Sequence, residues 1–112
     1  MIATALLYSG RENPRWEVPA ARAAQVAEAI EAMAGLDQPC PPPGGLGYTG
    51  VSITVQTPIR GQSAWTFGAG VAVSGRQCFA DGQRRIERMV LETGRGHIDT
   101  KLLDGILESF PE

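Results

Sequence analysis

Apolar residues at the start of the chain form one short, continuous run. Residues 2–8 are apolar apart from Thr4, and the run ends at the turn-forming pair Ser9 and Gly10. Seven residues are few for a helix and suit a strand with both faces buried. Asn13 precedes Pro14, and the residue before a proline is disfavoured in a helix, so a loop is predicted over residues 10–16.

A helical pattern of apolar residues follows this loop. The apolar positions are Ala23, Val26, Ala27, Ile30, Met33 and Ala34, and the polar positions between them are Arg22, Gln25, Glu28 and Glu31. Pro19 suits the first position of a helix, where its missing N–H is not needed. Gly35 suits the left-handed residue that ends one. We therefore predict an amphipathic helix from Pro19 to residue 34.

Residues 35–50 contain neither pattern. They hold four of the 8 prolines and five of the 14 glycines of the chain. Proline removes backbone donors and glycine adds backbone entropy, so a long loop is predicted. Loops of this length without internal structure are usually functional or disordered. Within it, residues 39–43 could form a polyproline II segment of the kind that partner proteins recognise.

Two segments after the loop alternate between apolar and polar residues. In the first, Val51, Ile53 and Val55 are the apolar members; in the second they are Trp65, Phe67, Ala69, Val71 and Val73. Alternation with period two predicts strands, here a hairpin with a loop of about six residues over 58–63. The opposite face of the second segment has Thr66, Gly68, Gly70, Ala72 and Ser74. A face this bare indicates close approach of another backbone, or a bulge.

Two helices complete the predicted elements. Asp81 is placed to cap the first, which runs to Thr93 and ends at Gly94. Its apolar face comprises Ile86, Met89, Val90 and Thr93. Asp99 is placed to cap the second, and Ile98 and Leu103 have the spacing of a hydrophobic staple. The apolar stripe of this helix comprises Leu102, Leu103, Ile106, Leu107 and Phe110.

The element order is thus β-α-β-β-α-α, which predicts an α+β two-layer sandwich. Its sheet has three strands in mixed orientation, with the helices on one face. We expect residues 1–112 to form a single domain. A three-stranded sheet has open edges to which another chain can add a strand. This favours a homodimer or docking on a partner protein.

Composition narrows the classes of protein. The chain has 112 residues, 43% of them apolar, two cysteines and a net charge of −2. It is long enough to bury a core without the dense disulfides of small secreted scaffolds. No apolar run approaches the ~20 residues of a membrane helix, and no basic flank precedes the N-terminal run, so a cytoplasmic protein is predicted and no membrane association is expected. The negative charge argues against a nucleic-acid binder, although Arg76, Arg84, Arg85 and Arg88 are clustered in sequence.

Residues for catalysis or metal binding are sparse. His97 is the single histidine, and Asp99 beside it is taken up as a helix cap. Cys40 and Cys78 have no spacing typical of a metal site, so neither a metal nor another cofactor is expected. A disulfide between them is possible, but the reducing cytoplasm opposes it.

Recognition residues are more frequent than catalytic ones in the loops. The first hypothesis is a non-catalytic binding or accessory module that makes protein contacts through exposed loops and an open sheet edge. Its candidate surface comprises Arg11, Asn13, Trp16, Cys40 and Tyr48. The alternative is a small enzyme or small-molecule-binding protein for an anionic ligand, which uses His97 or Cys78 with Arg84 or Arg85. The candidate anion-binding residues are Arg84, Arg85, Arg88 and His97.

Overall fold

The computed structural model describes residues 1–7, 12–36, 40 and 47–110. Its strands and helices are β1 (Ile2–Leu6), β2 (Arg15–Glu17), α1 (Ala20–Ala32), β3 (Gly50–Ile59), β4 (Gln62–Gly68), β5 (Val71–Ser74), β6 (Gln77–Ala80), α2 (Arg85–Glu92) and α3 (Thr100–Glu108), with a single 3₁₀ turn at Gly82–Arg84 before α2. The α+β class is confirmed. The predicted order β-α-β-β-α-α and the three-stranded mixed sheet are wrong, because the described residues form a sheet of six strands.

The strands lie in the order β2-β1-β3-β4-β5-β6, and each neighbouring pair in the described sheet is antiparallel. One row across the sheet joins Trp16, Ala3, Ile53 and Trp65, which are paired in turn. All four are buried. This row is one layer of the core. It places Ala3 and Trp16, near the start of the chain, beside Ile53 and Trp65.

Three hairpins with two-residue turns replace the longer loop and the single strand that the pattern predicts. The turns are Arg60–Gly61, Ala69–Gly70 and Gly75–Arg76. Positive φ occurs at both residues of the first two turns and at Gly75, as in the primed turns that match the twist of paired strands. The turn at Ala69–Gly70 reverses the chain inside the predicted strand. Ala72 therefore faces the core while Val71 and Val73 stay half-buried, the opposite of the prediction.

The two strands at the edges, β2 and β6, are absent from the predicted fold because three or four residues are too short to show a period. The edge of β6 is partly covered by the chain that leaves α1. Ala80 N donates to Ala34 O (3.0 Å), and Leu36 N donates to Cys78 O (3.0 Å). Gly35 lies in this bridge, opposite Phe79, and its φ is not positive. The prediction of a left-handed helix stop at Gly35 is therefore wrong.

The core lies between the sheet and the helices. Its fully buried side chains include Val26, Ile30, Val51, Ile53, Trp65, Phe67, Val90, Leu91 and Leu103. The helical faces predicted around Val26 and Ile30 and around Leu103 and Ile106 are confirmed. Leu102 departs from the prediction, since 37% of it is exposed. None of the helices in the described ranges is both long and apolar enough to cross a membrane.

Two glycines explain the bare face of β4. A Cβ added to Gly68 would lie 2.5 Å from Thr49 O, and one added to Gly50 would meet Phe67 O. No side chain fits between these backbones without separating them. The close approach expected on the glycine side thus occurs at Gly68, and the approaching backbone is the chain's own start of β3.

Candidate functional site

The segment before α2 is organised by the buried carboxylate of Asp81. Asp81 is 2% exposed and accepts hydrogen bonds from Ile86 N (2.9 Å) and Glu87 N (3.1 Å). Gln83 and Arg84 both have positive φ, so the α-helix begins at Arg85, three residues later than predicted. Burial raises the pKa of Asp81, against the lowering effect of the two backbone N–H groups.

Glu87 is the second buried carboxylate and is completely inaccessible. Arg84 binds it through Nε (2.9 Å) and Nη2 (2.8 Å), and the hydroxyl of Tyr48 donates to its Oε2 (2.5 Å). Burial, reinforced by the neighbouring Glu87 carboxylate, raises the pKa of Tyr48 above its ordinary value. Tyr48 therefore remains a neutral donor, and it anchors the start of β3 to α2. The buried charge of Glu87 on the inner side of α2 was not predicted, because the hydrophobic pattern does not identify Arg84 and Tyr48 as its partners.

Two of the three arginines of the predicted anion site, Arg84 and Arg88, meet at the ring of Phe110. Arg84 is occupied by Glu87, and its guanidinium carbon lies 3.8 Å from the centre of the Phe110 ring. Arg88 lies over the same ring at 5.5 Å. Arg85 is exposed and borders a depression on the side of α1.

The fourth residue of that predicted site, His97, lies against Trp16. Their ring centres are 6.2 Å apart, and the planes of the two rings are nearly parallel. Trp16 is 3% exposed and donates through Nε1 to Thr93 Oγ1 (2.8 Å). A Cβ at Gly94 would come within 2.7 Å of the Trp16 ring. Gly94 does not have the positive φ of the predicted helix stop, and its lack of a side chain is what admits the tryptophan.

The remaining members of the predicted recognition surface are also used internally or lie outside the described residues. Asn13 Oδ1 accepts from Leu7 N (3.0 Å), which links the residue after β1 to the segment before β2. Cys40 forms a disulfide with Cys78 across a Cα–Cα distance of 5.6 Å. Arg11 lies outside the described residues, as does the predicted polyproline segment apart from Cys40. The expected surface is therefore not one patch among the residues whose positions are known.

These placements also bear on the enzymatic alternative. Cys78 is in the disulfide, Arg84 is paired with Glu87, and His97 packs on Trp16. No common site brings them together in the described part of the chain. Within the same residues, no three His, Cys, Asp or Glu side chains are grouped so that they could hold a metal ion.

A groove of about 830 Å³ lies between α1 and the far half of β3. One wall is formed by the small side chains of Ala23 and Ala27 on α1. The charged side chains that line it, within the described ranges, are Glu17, Glu28 and Glu31, all exposed. Glu31 also accepts from Arg60 N (3.2 Å). The guanidinium of Arg60 is directed elsewhere, to Ile30 O (3.1 Å) and Met33 O (2.7 Å).

The floor of this groove is the edge of a strand. Six consecutive residues, 54–59, line it. Since side chains alternate between faces, a consecutive run indicates that the strand borders the groove with its backbone edge. Pairing of β3 with β1 ends at Thr54 opposite Ile2, and no described strand pairs with residues 55–59 on that side. On the other side, pairing with β4 is interrupted between Thr54 and Ile59.

The groove was missed by sequence reasoning. The one signal for it is Ile59, an apolar residue beyond the end of the predicted strand. The alanines of α1 occur all around the helix and so do not indicate which side lines the groove. Comparison of the chain with protein-family models, with curated proteins and with solved structures found no match.

Proposed function

We propose that this protein is a non-catalytic binding module that holds a segment of a partner protein in the groove between α1 and β3. The observation that carries the proposal is the groove itself, in which the strand edge of residues 55–59 has no partner strand in the described chain. Open strand edges are a recurrent means of peptide recognition, because backbone hydrogen bonds supply binding energy that does not depend on the side chains of the peptide. This keeps the sequence-based hypothesis of an open sheet edge, and moves the edge from the rim of the sheet to its interior strand β3.

Charge and shape support a polypeptide over the anionic small molecule of the alternative hypothesis. The charged side chains along the groove are carboxylates, which repel an anion. The groove is also open and elongated along a strand, whereas small-molecule sites are usually enclosed clefts. No observation favours the enzymatic alternative.

A peptide selection tests this function. Peptides displayed on phage are selected on the immobilised protein and then compared on two variants, Ala27→Trp and Ala24→Trp. Ala27 lines the groove, and Ala24 is exposed on the same helix without lining it. We expect selected peptides to bind the wild type and Ala24→Trp alike and to lose binding to Ala27→Trp. Failure to select any peptide that discriminates between the variants would overturn the proposal.

A second copy of this chain is the other occupant of the groove that the sequence favours. Sedimentation of wild type and Ala27→Trp at micromolar concentration identifies it, since a dimer that only Ala27→Trp disrupts would assign the groove to a second copy. A cytoplasmic location stays a prediction. The disulfide between Cys40 and Cys78 weighs against it, because disulfides persist mainly in oxidising compartments.

A further inference from the structure

We infer that the partner segment binds as an added β-strand, paired to residues 55–59 of β3, and that it is basic. This inference rests on the proposed function and specifies its partner. It follows from the edge of β3 that has no partner strand in the described chain, and from the charges on both sides of the groove.

The backbone groups of β1 point alternately to its two neighbours, β2 and β3. Ala5 N donates to Pro14 O (3.1 Å), and Met1 O accepts from Val18 N (2.9 Å). Both bonds lie on the β2 side, so the odd-numbered residues of β1 bond towards β2. Backbone groups in a strand alternate in direction, so the even-numbered residue Ile2 bonds towards β3, where it is paired with Thr54.

β3 presents an edge beyond its pairing with β1. Thr54, opposite Ile2, is the last residue of β3 that pairs with β1. The register with β4 then shifts, and Gln56, Thr57 and Pro58 are all exposed. Residues 54–59 line the groove without a break, and beyond Thr54 no described strand pairs with them on the β1 side. A segment in the lane of β1 can pair with them over about 17 Å, the length of five extended residues.

The added strand would meet small side chains on its inner face and carboxylates on both flanks. On its inner face it meets the methyl groups of Ala23 and Ala27, which leave room for residues of medium size such as valine. Glu17 borders the groove from β2, and Glu28 and Glu31 border it from α1. Carboxylates on both flanks complement lysine or arginine at alternate positions of the segment. An acidic segment would be repelled from both sides.

The probe is a synthetic heptapeptide, Arg-Val-Lys-Val-Arg-Val-Lys, titrated by isothermal calorimetry into the 112-residue protein. Two further peptides carry N-methyl groups at the odd or at the even positions. Strand addition uses the N–H groups of alternate residues only. We expect one methylated peptide to bind at least tenfold more weakly and the other to keep the affinity of the parent. Equal binding of both methylated peptides would overturn strand addition.

Charge is tested on both partners. A peptide with glutamate at the basic positions should not bind, and Glu28→Lys should weaken the basic peptide at least fivefold. Glu92→Lys is the matched control, since Glu92 is exposed and does not line the groove. If Glu28→Lys and Glu92→Lys weaken binding of the basic peptide equally, the effect is one of net charge. This result would contradict the inferred position of the peptide in the groove.

The outcomes separate this inference from the proposed function. Phage peptides that need an open groove but are neutral or acidic, or that tolerate N-methylation at every position, would leave the binding module in place and overturn the added basic strand. Absence of any groove-dependent peptide would overturn both.

Discussion

The disulfide between Cys40 and Cys78 should supply a large part of the stability of this protein. The perturbation is the double substitution Cys40→Ala/Cys78→Ala, which removes the crosslink without leaving a free thiol. The two residues are 38 positions apart. In the loop-closure treatment, a crosslink of this length lowers the entropy of the unfolded chain enough to stabilise the fold by about 4 kcal/mol.

The native contacts around the crosslink explain why the variant should still fold. The bonds from Ala80 N to Ala34 O and from Leu36 N to Cys78 O hold the chain after α1 against β6 without the sulfur atoms. The loss should therefore fall on the unfolded state. Folded domains have a free energy of unfolding of about 5–15 kcal/mol. The double variant therefore keeps a measurable unfolding transition when the wild-type free energy reaches at least the lower part of this range.

Urea unfolding measures this loss through the fluorescence of Trp16 and Trp65, both of which are buried. With a slope of about 1–2 kcal/mol per molar urea, the midpoint should fall by about 2–4 M. Reductant should move the wild type to the curve of the double variant and leave the double variant unchanged. A midpoint equal to that of the oxidised wild type would refute the reasoning.

Three other predictions concern the interior contacts, and each is checked by urea unfolding. Glu87→Ala leaves Arg84 without its partner and should cost about 3 kcal/mol, against about 1 kcal/mol for Tyr48→Phe, which removes one hydrogen bond; equal losses would contradict the buried ion pair. Burial raises the folded-state pKa of Tyr48 above its ordinary 10.0, so its contribution is complete below about pH 10 and is lost as the pH rises further. The free energy of unfolding should therefore fall by up to about 1.4 kcal/mol per pH unit above pH 10; if Tyr48→Phe keeps the whole slope, another group causes it. Gly94→Ala places a Cβ within 2.7 Å of Trp16 and should cost about 1–3 kcal/mol, whereas Gly105→Ala, with open space at its Cβ, should stabilise α3 by about 1 kcal/mol; a harmless Gly94→Ala would show that the tryptophan does not need the space.

Several features of the fold follow from contacts within a few residues, and these could be predicted. The amphipathic helix after Pro19 is one, since its buried residues Val26 and Ile30 recur at helical spacing. The cap at Asp99 is another, because its carboxylate reaches Leu102 N three residues on, at 3.1 Å. The core position of Trp65 is a third, since it follows from alternation along one strand.

The candidate site was less predictable, because its parts meet only through pairing between distant segments. Tyr48 and Trp16 are residue types enriched at binding surfaces, yet each finds an interior partner, Glu87 and Thr93, at a large sequence separation. Burial of a polar side chain depends on whether such a partner satisfies its hydrogen bonds. No short segment of the sequence contains the identity of such a distant partner.

By itself, the sequence determined the α+β class, the helical faces and the cap at Asp99, because propensity, periodicity and capping act over one or two turns of chain. Only the tertiary structure decided the six-stranded antiparallel order, the pairing of Cys40 with Cys78 and the groove beside β3. Strand order depends on which edges meet, and two-residue turns reverse a chain without interrupting its alternating pattern. The edge at residues 55–59 lies where the described pairing with β1 ends at Thr54 while β3 continues to Ile59, and this relation is visible only when the two strands lie side by side.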